Sequence, residues 1–81
     1  MRMTDWYQMA GNVLRAELAR QGVSYRQLAR MLTDIGVDET ERAIANKLSR
    51  GSFSFAFFLQ CMRALGRVDV KLDLTHVPGK G

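Results

Sequence analysis

The stretch Ser24–Gly51, SYRQLARMLTDIGVDETERAIANKLSRG, constrains the fold most, because it carries start and stop signals for two short helices. The Ser24 hydroxyl can cap the free N–H groups of a helix, and Gln27 three residues later completes a capping box. Tyr25, Leu28, Ala29, Leu32 and Ile35 then recur at the spacing of a helix buried on one side. Arg26 and Arg30 fall on the other side. Gly36 supplies the positive φ that ends this helix, and Val37 returns the chain to the core. A second helix is expected to start between Asp38 and Thr40, where Asp38 with Glu41 repeats the capping-box pattern, and to stop before Gly51. Only Ile44 and Leu48 are placed for burial in it. Arg42, Asn46, Ser49 and Arg50 occupy the opposite face, separated by the small Ala43 and Ala45. A helix with so little apolar surface reads as one displayed for contact.

The flanking segments supply the remaining elements. Thr4 or Asp5 can cap a first helix that runs to about Gln21 and ends at Gly22, with Trp6, Ala10, Val13, Leu14 and Leu18 on its buried side; Trp6 reads as a core or subunit contact rather than a ring for ligand stacking. Gly11 leaves room for another helix to come close. Arg15 and Arg20 extend the basic surface of Arg26 and Arg30. After Gly51, Ser54 is placed to cap a helix reaching Leu65. Phe55, Phe58, Met62 and Leu65 form its apolar line, and Phe57, Leu59 and Cys61 spread apolar surface nearly all round it. Residues 67–74, RVDVKLDL, change period: Val68, Val70, Leu72 and Leu74 alternate with charged neighbours, as in a half-buried β-strand. The chain has no second strand of that quality. Two readings are open for it: pairing with the same strand of a twin chain, or a terminal extension packed on a helix. Residues 75–81 read as a flexible tail. The expected fold is therefore all-α, four helices over residues 1–66, with a C-terminal β-strand at 67–74. The first reading makes the protein a homodimer, with Phe55, Phe57, Val68, Val70, Leu72 and Leu74 at its interface.

Composition narrows the function classes. The 81 residues make one domain, with an apolar fraction of 47%, a charged fraction of 25% and a net charge of +4. A basic balance of this size suits an anionic partner, and equally a solvated basic surface. Cys61 alone can form no internal disulfide, which suits a reducing cytoplasm. Neither a membrane span nor a signal peptide is expected. Catalysis has little to work with: His76 lies in the tail, Cys61 lies in an apolar run, and no phosphate loop, metal-ligand pair or nucleophile motif is present. Asp34, Asp38, Glu39 and Glu41 lack the spacing of a calcium loop and fit better as negative charge at a helix start. No cofactor, metal or small-molecule substrate is expected.

On Ser24, Leu28, Ala29, Gly36, Val37, Ile44, Gly51, Leu65 and Gly66, the chain resembles the helix-turn-helix of the lambda-repressor-like (Xre-type) DNA-binding domains over about Leu14 to Gly66. More narrowly, GVSYRQLARML and GVDETERAIANKLSRGSFSFAFFLQC are similar to a family of short bacterial proteins of unassigned function. The turn between the two helices is longer and more acidic than in most repressor domains. Tyr25 stands where many of them carry a glutamine on the DNA backbone. The resemblance implies a sequence-specific DNA-binding protein, a small bacterial or phage-type transcriptional regulator in the cytoplasm, with double-stranded DNA as partner. Arg42 and Asn46, one turn apart, suit guanine and adenine edges; Glu41, which can accept from cytosine, and Ser49 adjoin them. Ser24, Tyr25, Arg26, Arg30, Lys47 and Arg50 are then the expected contacts to the DNA backbone. From residue types alone a solvated helix face fits as well. The alternative function is a protein-interaction or dimerisation module on the same scaffold, without DNA binding.

Overall fold

The structure is a computed structural model that describes residues 5–72 and 74. Four α-helices follow one another: α1 Trp6–Gln21, α2 Tyr25–Asp34, α3 Glu41–Arg50 and α4 Phe55–Ala64. Each begins on a residue whose side chain accepts a hydrogen bond from the first turn. Asp5 caps α1 through the Gln8 amide, and Ser54 caps α4 through the Phe57 amide. At α2 the full capping box forms: the Gln27 amide donates to Ser24 Oγ at 3.1 Å, and the Ser24 amide donates to Gln27 Oε1 at 2.8 Å. The cap of α3 is Thr40, whose Oγ1 accepts from the Ala43 amide at 3.0 Å. Asp38 stays in the turn, and Glu41 becomes the first residue of the helix, where its charge faces the positive end of the helix dipole.

The core is built from Leu14, Leu18, Leu28, Leu32, Ile44, Leu48, Phe57, Phe58, Cys61, Met62 and Leu65. Helix α3 packs against both α1 and α2, and α2 packs against α4. Ile44 and Leu48 are fully buried, so a helix with only two large apolar residues still sits between two neighbours. Its contact with α1 is close. A Cβ on Gly11 would lie 2.3 Å from the Leu48 carbonyl oxygen, so only glycine permits this approach. The same carbonyl is one of the last of α3, which lack partners within the helix. It accepts from Arg15 Nη1 at 3.1 Å, and Arg15 Nη2 donates to Asn12 Oδ1 at 2.7 Å.

Three expectations are corrected. The C-terminal β-strand does not form: among the described residues no strand is present, and residues 67–72 and 74 have no regular secondary structure. Alternation can adapt a segment to half-burial, but a strand exists only where a neighbour pairs its backbone. Four helices offer no sheet edge. Val68, on the side expected to be buried, is 99% exposed. Trp6, expected on the buried side of α1, is 58% exposed; the stripe that faces inward consists of Met9, Gly11, Leu14, Glu17 and Leu18. Ile35 lies at the end of α2 and is also exposed. The expected tail, residues 75–81, and Thr4 lie outside the described residues.

What α4 leads into is an anchored turn. Gly66 takes φ +81°, and the Arg67 amide donates to the Met62 carbonyl at 2.9 Å. The chain reverses, and Arg67 Nη1 reaches Glu17 Oε2 at 2.8 Å, fifty residues away in sequence. Glu17 is nearly fully buried yet fully partnered, with Arg20 Nη2 at 2.6 Å and Gln21 Nε2 at 2.7 Å. Hydrogen bonds from Arg20 and then Gln21 favour the ionised carboxyl by more than burial opposes it, and Arg67 adds to them. Together they hold it at about 2, against an ordinary 4.5.

Candidate functional site

The outer face of α3 lies opposite the helix's buried side. Positions 42 and 44 are separated by about 200° around a helix of 3.6 residues per turn, so burying Ile44 and Leu48 turns Arg42 outward. Asn46, Ser49 and Arg50 follow at helical spacing along that face, and all four are exposed. Ala43 and Ala45 flank them and are half-buried. Ten residues give α3 a length of about 15 Å, comparable with the roughly 12 Å width of a DNA major groove. Glu41 is exposed at the start of the same helix.

On α2, Arg26 and Arg30 are exposed one turn apart. The ion pairs among the described residues are Glu17–Arg20, Glu17–Arg67 and Glu39–Lys47. Arg26, Arg30, Arg42 and Arg50 take part in none of these, so four guanidinium groups on two helices face solvent without an acidic partner there.

The other expected backbone contacts are placed differently. Lys47 is half-buried, with its ammonium on Glu39 Oε2 and 4.6 Å from the centroid of the Phe57 ring. Part of the acidic turn is thereby neutralised from within, and Lys47 is engaged before any ligand arrives. Asp34 and Asp38 are exposed, and among the described residues no group of three or more His, Cys, Asp or Glu side chains could hold a metal ion. Ser24 is exposed but commits its backbone N–H to Gln27. Tyr25 packs half-buried against the core.

Residues expected at a subunit interface separate into two groups. Phe57 is in the core, edge-on to Phe53 with ring centroids 5.6 Å apart. Phe55 is 70% exposed, stacked at 5.9 Å on Phe58. Val68, Val70, Leu72 and Leu74 are exposed, and Leu72 and Leu74 line an open groove of about 330 Å³ with Trp6, Met9, Phe55 and Phe58. The Cys61 thiol is fully buried, and burial first, then the charge of Glu39, pushes its pKa up to about 12, so it is no nucleophile.

Sequence reasoning missed two positioning contacts, Arg15 on the Leu48 carbonyl and Glu17 on Arg67. The spacing of Glu17 from Arg20 and Gln21 was a visible signal for the local half of the second. Neither long-range half had one.

No helix among the described residues is long and apolar enough to cross a membrane. Residues 6–70 match the family described as a domain of unknown function (DUF6471). No curated protein and no solved structure matches the chain.

Proposed function

The chain belongs to the DUF6471 family, a domain of unknown function, and we propose that it is a sequence-specific binder of double-stranded DNA. In this reading it is a small bacterial regulator of Xre type, working in the cytoplasm, with α2 and α3 as its helix-turn-helix. The observation that carries the reading is the exposed face Arg42, Asn46, Ser49, Arg50 on α3, together with the exposed Arg26 and Arg30 on α2, with none of these arginines in an ion pair among the described residues. Arg42 offers a planar fork to guanine O6 and N7, and Asn46 pairs donor and acceptor with adenine N6 and N7. The half-buried alanines beside them let the helix backbone come close to the base edges. Arg26, Arg30 and Arg50 supply charge to phosphates, which adds affinity and salt dependence without sequence information. Lys47 contributes little in this scheme, because Glu39 already holds it. Glu41 repels phosphate and is tolerated where it accepts from cytosine N4.

Alanine substitution separates the roles. Arg42→Ala or Asn46→Ala should cost about 1–3 kcal/mol on the preferred duplex and relax preference at one position. Arg26→Ala, Arg30→Ala or Arg50→Ala should weaken binding to all duplexes and reduce the salt slope by about 1 each. Small and equal effects at all five positions would leave the reading without support. A second reading, a protein-interaction module on the same scaffold, is favoured by the exposed apolar groove between the starts of α1 and α4. It predicts self-association without salt-sensitive retention on DNA.

A further inference from the structure

We infer that the apolar groove between the starts of α1 and α4 is the seat of a second copy of this chain. Trp6, Phe55, Leu72 and Leu74 line it, and they are 58%, 70%, 49% and 52% exposed. Leu59, one turn beyond Phe55 on α4, is 47% exposed. With aromatic side chains of about 150–250 Å² and aliphatic ones somewhat smaller, these five expose roughly 500 Å² of apolar surface. A standard interface buries about 800 Å² per partner, roughly 60% of it non-polar. The face therefore holds the apolar area that one stable interface needs.

Its shape points to the same chain as occupant. A two-fold interface must be complementary to itself, with what protrudes from one protomer entering a recess on the other. Here the protruding rings of Trp6 and Phe55 stand beside a recess floored by Met9 and Phe58, on one face of one molecule. Side chains make this interface, and no strand pairing is involved. The inference stands independently of DNA binding.

The single tryptophan of the chain lies in the proposed contact and reports on it directly. Light scattering of the intact protein at tens of micromolar should give twice the chain mass of 9.2 kDa. Dilution should shift Trp6 emission to the red as the dimer separates. Phe55→Glu and Leu59→Lys change exposed positions, so helical content should be retained while the mass halves and the emission stays red at every concentration. A monomeric wild-type chain overturns the inference. So does a dimer whose mass survives both substitutions, or whose Trp6 emission does not respond to dilution, because its interface then lies elsewhere.

Discussion

Replacing Glu17 by glutamine should destabilise the fold at neutral pH and do so progressively less as pH falls. All three partners of the carboxylate donate to it: Arg20 at 2.6 Å, Gln21 at 2.7 Å and Arg67 at 2.8 Å. An amide NH₂ in place of either oxygen confronts at least one of those donors with another donor. The carboxyl titrates near 2 in the fold against an ordinary 4.5. At about 1.4 kcal/mol per pH unit, full conversion of that difference gives on the order of 3 kcal/mol. Arg20 is 66% and Arg67 34% exposed at the side chain, so water screens both, and about 1–2 kcal/mol is the expected loss at pH 7. Because the folded pKa is depressed, the contribution is complete above the unfolded value and disappears as pH falls from 4.5 towards 2. Urea unfolding followed by circular dichroism should show the variant's midpoint about 1 M below wild type at pH 7. At pH 3 the gap should shrink to less than half. A gap that is absent at pH 7, or unchanged at pH 3, would refute this account of the cluster.

Gly11→Ala should destabilise by about 1–3 kcal/mol although alanine is the better helix former, because its Cβ meets the Leu48 carbonyl at 2.3 Å; a thermal melt at or above wild type would show that α1 and α3 do not pack this closely. Leu28→Ala and Leu48→Ala, at fully buried positions, should each cost about 2–5 kcal/mol in the same assay. The Cys61 thiol should resist a thiol-specific reagent at pH 8 in the native protein and react at once in denaturant, because burial raises its pKa to about 12. Rapid native labelling would place Cys61 outside the core.

What was legible in the sequence was local. Ser24 with Gln27, Ser54, Gly22, Gly36 and Gly51 announce helix ends within a turn of themselves, and the structure uses each of them. The choice of Thr40 over Asp38 as cap was not legible, because two acceptors stand within three residues and the path of the turn decides between them. Trp6 misled for a related reason. The apolar pattern of α1 is broad enough to allow more than one buried stripe, and the close approach at Gly11 selects the one that leaves Trp6 outside. Residues 67–74 alternate as a strand does, but alternation is silent on whether a pairing partner exists. At the candidate site, the outward face of α3 followed from Ile44 and Leu48 alone. The engagement of Lys47 by Glu39 and Phe57 depends on the fold of the acidic turn, which no local pattern encodes.

The central claim is that α3 reads DNA. Selection of bound duplexes from a randomised pool, followed by affinity measurement on the selected sequence over a series of salt concentrations, tests it most directly. The expected result is an enriched motif whose log affinity falls linearly with log salt, with a slope of about −0.9 per phosphate contacted, and whose preference relaxes at one position in Arg42→Ala. A pool that emerges unenriched, with no salt-sensitive binding to any duplex, would contradict the claim.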